Sequence, residues 1–180
     1  YLRNCTYQEM YEALDCKGGT LNYWVKYLGL PMRGSGRNNI LENPFIENTS
    51  ERDYWLGYLF ADGHIGQNNI RLFSKEKYII DEFNKFCKGQ CRIYTRNYST
   101  KEGSIRTMYH ATLISKDLQR WFSDTYNIEG DKRYTLNPTI DINWDILRGY
   151  FDGDGNAHKS GGWIITSGSK EWINRVHKFL

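Results

Sequence analysis

A nine-residue pattern occurs twice in this chain, as WLGYLFADG over 55–63 and as LRGYFDGDG over 147–155. Gly57, Tyr58, Asp62 and Gly63 recur as Gly149, Tyr150, Asp154 and Gly155, each 92 residues later, and Ala61 recurs as the small Gly153. Residues four apart share one face of a helix. Gly57 with Ala61, and Gly149 with Gly153, therefore make a shallow strip on each of two expected helices. Such strips let two backbones approach closely. Leu56, Leu59 and Phe60 in one copy, and Leu147, Tyr150 and Phe151 in the other, would bury the flanks.

Gly63 and Gly155 fall where a helix end favours positive φ. Asp62 and Asp154 then emerge together at the last turns. An acid at a helix C-terminus opposes the helix dipole. Two carboxylates side by side repel unless a cation lies between them. That placement is poor for stability and points to another use. Oxygen ligands suit Mg²⁺, and shared metals generate hydroxide and stabilise the leaving oxygen in phosphodiester cleavage. Two ordinary amphipathic helices with glycine caps are the plain alternative. Repetition of the whole small–acid–glycine order argues against it.

The 180 residues suit one domain of moderate size plus a small appendage. Net charge is only +3, but its distribution is uneven. Residues 141–154 hold Asp141, Asp145, Asp152 and Asp154 against Arg148 alone. Residues 88–106 hold Lys88, Arg92, Arg96, Lys101 and Arg106 against Glu102 alone. A basic strand region beside an acidic motif is what a phosphate-tracking nuclease needs. Cys5, Cys16, Cys87 and Cys91 include one CxxxC but no second pair at zinc spacing, so reduced thiols are expected. No stretch approaches the roughly 20 apolar residues of a membrane span, and no secretory leader is visible. The expected location is intracellular, in a cytoplasm or an organelle. The chain opens on Tyr1, so its natural start is expected to lie upstream.

Period and punctuation divide the chain into four parts: a helical domain over 1–32, a linker over 33–50, a first half-domain over 51–140 and the start of a second over 141–180. In the first part, Thr6 with Glu9 forms a capping box. Met10, Ala13 and Leu14 make one apolar stripe, and Leu21, Trp24, Val25 and Leu28 make another. The pattern reads as a helix-turn-helix, with Asn22, Tyr23, Lys26 and Tyr27 of its second helix facing a DNA groove. A helical hairpin that merely packs on the main domain is the alternative. In the linker, Gly34, Ser35 and Gly36 give flexibility, and Arg33 and Arg37 can follow phosphates.

After the first motif, a short strand over 64–67 turns at Asn68-Asn69 into a return strand over 70–73. Ser74 is expected to cap a helix running to about Lys88. Longer strands follow over 91–98 and 105–113, then a helix over 116–124. The order is α-β-β-α-β-β-α. The second copy restarts this plan with a strand over 156–159, a turn at 160–162, a strand over 163–166 and a helix capped by Ser167 or Ser169. It reaches only Leu180, opposite Cys87 of the first copy, so a fragment of a longer polypeptide is the expectation.

Strand side chains alternate faces. Cys91, Ile93 and Thr95, with Ile105, Tyr109, Ala111 and Leu113, suit a core face. Arg92, Tyr94, Arg96 and Tyr98, with Arg106, Met108 and His110, suit the opposite one. Asn69, Arg71 and Phe73 fall opposite Ile70 and Leu72, and His64 lies on the preceding short strand. The outward face is aromatic and rich in arginine. A two-stranded ribbon fits the major groove, where arginine reads guanine bidentately, each good contact discriminating by about 1–3 kcal/mol. A solvated face with cation–π pairs is the alternative.

The two motif copies resemble the signature of LAGLIDADG homing endonucleases over residues 53–180, although Trp55 and Phe60 are bulkier than usual. The resemblance implies the α+β LAGLIDADG homing endonuclease fold, an αββαββα half-domain followed here by a truncated second half. It implies that the motif helices form the interface between halves. Carried over by position, Asp62 and Asp154 hold a catalytic divalent metal, helped by the carbonyls of Ala61 and Gly153. A lysine after the third helix often assists in the family. Lys132 is the candidate here, in NIEGDKRYTLNP over 127–138, where it would stabilise the phosphate in the transition state.

The expected function is a site-specific double-stranded DNA endonuclease dependent on Mg²⁺ or another divalent cation such as Mn²⁺. When full length it would work as a monomeric pseudo-dimer. No intein splicing residues are recognisable, which favours an intron-encoded or free-standing enzyme. A non-cleaving DNA-binding regulator and an RNA-binding intron maturase are the rivals. Retention of both Asp62 and Asp154 argues against the first, and the helix-turn-helix pattern against the second.

Overall fold

A computed structural model describes residues 42–99, 103–128, 136–159 and 161–180, together with Asp15, Thr20, Tyr23 and Tyr27. The chain divides into two compact units, Tyr1–Gly36 and Arg37–Leu180. In the first, Thr20, Tyr23 and Tyr27 are helical, and the exposed rings of Tyr23 and Tyr27 stack 6.0 Å apart. The rest of the expected helix-turn-helix and of the linker up to residue 41 lies outside the described residues.

The second unit begins with helix α1 (Ser50–Asp62), strand β1 (Gly63–Ile65), β2 (Asn69–Ser74) and α2 (Lys77–Phe86). It continues through β3 (Arg92–Ser99), β4 (Ile105–Ile114) and α3 (Lys116–Tyr126). This is the α-β-β-α-β-β-α order read from the sequence. The plan restarts with α4 (Trp144–Asp154), β5 (Gly155–Ala157), β6 (Trp163–Ile165) and α5 (Lys170–Phe179). Side-chain oxygens start the helices: Thr49 accepts from Arg52 N–H, Ser115 from Leu118 N–H, Asn143 from Ile146 N–H and Ser169 from Trp172 N–H.

The first four strands form one antiparallel sheet in the order β1-β2-β4-β3, and β5 and β6 form a separate pair. Ile70 and Leu72 of β2 pair with Leu113 and Ala111 of β4, and all four are buried under the helices. Ile80 and Phe83 of α2, Leu118 and Phe122 of α3 and Leu56 and Leu59 of α1 complete the core. Phe45 ties these layers from outside the sheet, its ring edge-on to Phe86 and Phe122 at 5.3 and 5.5 Å. Edge-to-face contacts of this kind add to what burial alone supplies.

Several local expectations are corrected. The first short strand ends at Ile65, and the turn lies at 66–68, closed by Gly66 N–H donating to the Asn69 carbonyl at 2.9 Å. Ser74 does not cap α2. Its hydroxyl accepts from Glu76 N–H at 3.1 Å, and Glu76 holds the cap position without a side-chain bond. The third helix runs on to Tyr126, whose ring is buried, and stops where Asn127 turns left-handed at φ 52°. Ile93 and Ile105, read from the alternation as core residues, are 38% and 74% exposed. Ile105 lies at the far end of the β3–β4 hairpin, and Ile93 stands on the edge strand β3 opposite the buried Ala111.

Candidate metal and nucleic-acid site

The two motif helices pack backbone to backbone. A Cβ placed on Gly57 would overlap the Ile146 carbonyl and lie 2.9 Å from Tyr150 N. A Cβ on Gly149 would overlap the Tyr54 carbonyl and lie 2.9 Å from Tyr58 N. Ile146 and Tyr150 stand 92 positions after Tyr54 and Tyr58, so each helix meets the other with the same surface. That reciprocity is the mark of a twofold interface, here built within one chain. The strip ends where a Cβ on Gly153 would lie 2.5 Å from the Ala61 Cβ.

Polar groups tie the helices at both ends. Asn143 Nδ2 donates to the partly buried Asp53 carboxylate at 2.5 Å, and Arg52 holds the same carboxylate at 2.5 Å. Toward the other end, Tyr54 Oη donates to Asp152 Oδ2 at 3.0 Å, with the Arg148 guanidinium 4.9 Å from the Tyr54 ring centre. Burial, then the Asp152 charge, pushes the Tyr54 hydroxyl pKa upward. Asp152 therefore works with Tyr54, while its counterpart in the first copy, Phe60, is buried core.

The closing glycines behave differently from the expectation of positive φ. Gly63 has φ −78° and Gly155 has φ −84°, and each opens a strand at once. Crowding is what requires glycine there. A Cβ on Gly63 would overlap the Leu59 carbonyl, and one on Gly155 would overlap the Phe151 carbonyl and ring. The tight exit turns Asp62 and Asp154 outward as the last residues of α1 and α4, and both are exposed.

The Asp62 carboxylate oxygen lies 3.7 Å from where a Cβ on Gly153 would stand, next to Asp154 in the chain. The donor set at this end is oxygen: two carboxylates, with the carbonyls of Ala61 and Gly153 in the same turns. Among the described residues no group of three or more His, Cys, Asp or Glu side chains gathers as a metal site. Two carboxylates fit a hard ion that keeps much of its water, as Mg²⁺ does, and this donor set holds none of the Cys or His ligands that dominate zinc sites.

A pair of tyrosines backs the acids. Tyr58 and Tyr150 are buried one turn before Asp62 and Asp154. Burial raises the pKa of both hydroxyls, that of Tyr150 to about 12. Ser74 and Ser167 hydrogen bond to them and pull the other way, and the charges of Asp62 and Asp154 raise them further. Tyr150 Oη donates to the Thr166 carbonyl at 3.1 Å, and Thr166 Oγ1 donates to the Asp154 carbonyl at 3.3 Å. Sequence reasoning treats Tyr150 as flank packing and gives Tyr58 no separate role. Their repetition four residues before each acid is the signal that could have found them.

The register sorts the outward sheet face into rungs. His64, Arg71, Thr112 and Arg92 share one level, and Phe73, His110 and Tyr94 the next. Met108 with Arg96, and Arg106 with Tyr98, follow along the long hairpin. His64, Arg71, Arg92, Tyr94, Arg96, Arg106 and His110 therefore share a single surface. Asn69 pairs with Ile114 on that face, its Oδ1 buried beside Gly66. Phe73 and Met108 join the surface without having been singled out as binding residues, while Thr112, at the level of Arg71 and Arg92, is buried. Tyr23 belongs to the first unit, and Asn22, Lys26 and Lys132 lie outside the described residues. Among the described residues no helix is long and apolar enough to cross a membrane.

The architecture is thus a pseudo-twofold α+β protein with paired acids at the ends of its central helices and a basic sheet face. Residues 49–127 match the family model of the LAGLIDADG-like domain. This segment belongs to that family, and the chain takes the LAGLIDADG homing endonuclease fold. One similar solved structure is the homing endonuclease I-WcaI bound to its DNA recognition sequence. It shares 14% identity at a TM-score of 0.55, with 86% of this chain and 74% of that chain covered. A comparison with curated protein sequences found no match.

Proposed function

We propose that this chain is a site-specific, divalent-metal-dependent endonuclease acting on double-stranded DNA in a cytoplasm or organelle. The observation that carries the reading is the seating of the Asp62 carboxylate against Gly153, at the same helix ends as Asp154. Asp62 and Asp154 would hold Mg²⁺ or Mn²⁺, with the carbonyls of Ala61 and Gly153 as further oxygen donors. A bound ion of this kind supplies activated water and charge stabilisation at the leaving oxygen.

The protein's own side chains do the rest. Arg71, Arg92, Arg96 and Arg106, with His64, Asn69, Tyr94 and His110, form the surface that would track the duplex and read bases. Tyr150, through Thr166, holds the turn that carries Asp154, and Tyr58 is buried one turn before Asp62. Lys132 is proposed to stabilise charge on the phosphate, and Asn22, Tyr23 and Lys26 to contact a flanking groove. One monomer supplies both acids, so two phosphodiesters can be cut at a long asymmetric site, as intron homing requires. The similar I-WcaI is bound to a DNA recognition sequence, which favours this reading over an RNA maturase role.

The test is plasmid-library cleavage with Mg²⁺, comparing the wild-type chain with Asp62→Asn. Mg²⁺-dependent double-strand breaks lost in the variant support the reading. Tight, sequence-preferring duplex binding without any cleavage would assign the chain to a DNA-binding regulator instead.

A further inference from the structure

The pseudo-twofold seam is broken on one flank. Tyr54, Arg148 and Asp152 correspond, 92 positions away, to Ile146, Leu56 and Phe60, which are all apolar and buried. Phe60 lies in the last turn of α1, and its ring meets those of Tyr126 and Trp172 edge-on at 6.3 and 6.0 Å. Packing therefore holds the turn that carries Asp62. Asp152 takes the same place in the last turn of α4 and is exposed.

Tyr54 of α1 makes up the difference. Its hydroxyl donates to Asp152 Oδ2 at 3.0 Å, and the Arg148 guanidinium lies 4.9 Å from its ring centre. Arg148 and Asp152 are four apart and share one face of α4, so a single helix grips the tyrosine by its face and its hydroxyl. Burial, then the Asp152 charge, raises the Tyr54 pKa, so the hydroxyl keeps its proton and stays the donor. A bond to an ionised acceptor is stronger than one between neutral groups. Thr166 already holds the Asp154 carbonyl, and the bond from Tyr54 ties the same turn to α1. The Asp152 and Asp62 charges both act on the Tyr58 hydroxyl, which places the two acids on the same flank of the seam. Among the described residues no three such side chains gather as a metal site, so Asp152 acts through Tyr54 rather than as a third ligand.

We propose that Tyr54 and Asp152 are positioning residues for the metal site, their bond across the seam fixing the last turn of α4, and with it the Asp154 carboxylate, against Asp62. The assignment rests on the divalent-metal reading given above. It makes the two acids unequal, Asp62 standing on a turn held by packing and Asp154 on one held by hydrogen bonds.

The test is Tb³⁺ binding to the full chain, excited directly rather than through tyrosine, with Mg²⁺ as competitor and circular dichroism to show that each variant is folded. Tyr54→Phe should weaken binding roughly tenfold, the low end for an outer partner of a metal site. Asp152→Ala should do the same, and adding Tyr54→Phe to it should cost little more, because the two residues act as one unit. Asp152→Asn keeps an acceptor for the hydroxyl and should recover most of the affinity. Asp152→Asn binding as weakly as Asp152→Ala would mean that Asp152 acts through its charge, and would overturn the assignment. Wild-type affinity in Tyr54→Phe, or fully additive losses in the double variant, would overturn it too, with the metal reading intact. If the wild-type chain binds no Tb³⁺, or Asp62→Asn binds it equally well, the metal reading itself fails and the assignment falls with it.

Discussion

The Asp62 carboxylate stands against Gly153, 3.7 Å from the site of a missing Cβ, at the seam where the two motif helices end. Two acids at helix C-termini oppose both helix dipoles and each other. Neither carboxylate stands where a helix dipole would favour it. In a chelator, Asp62→Asn and Asp154→Asn should each leave the protein at least as stable as wild type, by up to about 1 kcal/mol in a urea titration. A loss of stability in either variant would mean that the carboxylates serve the fold.

The same variants should lose cleavage. Removing an outer partner of a metal site costs roughly 10–100-fold, and a direct ligand should cost more. Supercoiled-plasmid cleavage, measured against the selected duplex, reads this directly.

The glycine strip is a second target. A Cβ at Gly57 or Gly149 would meet the backbone of the opposing helix, which cannot step aside as a flexible side chain would. Gly57→Ala and Gly149→Ala should each destabilise by about 3 kcal/mol or more, the upper range of overpacking. Gly162 has open space around it. Gly162→Ala should stay within about 0.5 kcal/mol of wild type, and chemical denaturation compares all three.

Asn143 has two tasks, capping α4 through its Oδ1 and holding Asp53 through its Nδ2. Asn143→Ala removes both and should cost about 1–2 kcal/mol, the range for a lost cap. Equal stability by thermal unfolding would show that the cross-helix bond is dispensable.

His110 should titrate below the ordinary histidine value in the free protein, since burial, Arg71 and Arg96 all disfavour its charge. The linked stability has a definite sign. Below about pH 6.5 the unfolded chain takes up a proton that the folded one resists. Stability is therefore full above that pH and falls as pH drops toward the folded-state value. NMR of the His110 ring gives the midpoint, and His110→Gln should blunt the loss on acidification.

Much of this architecture can be read from residue patterns because the patterns are physical constraints. Small residues four apart permit a close helix pair, and the alternation along 92–98 sorts side chains to two faces. The close helix pair appears in the structure as expected, whereas along 92–98 neither strand face is buried. What the patterns could not carry depends on distance in space. Gly63 and Gly155 are glycines because of crowding by residues four positions earlier, which looks identical to a left-handed cap in the sequence. Ile93 and Ile105 have a core alternation, but the first stands on the sheet's edge strand and the second at the far end of the hairpin. The Asn143–Asp53 bond joins residues 90 apart, and the Phe73–His110–Tyr94 rung depends on a register that only strand pairing sets.

The most direct measurement is metal capture at the helix ends, read by Tb³⁺ luminescence excited through the adjacent Tyr58 and Tyr150. The wild-type chain should give sensitised emission that Mg²⁺ displaces, and Asp62→Asn and Asp154→Asn should each abolish most of it. Emission that survives both substitutions unchanged would contradict a shared divalent-ion site at this seam.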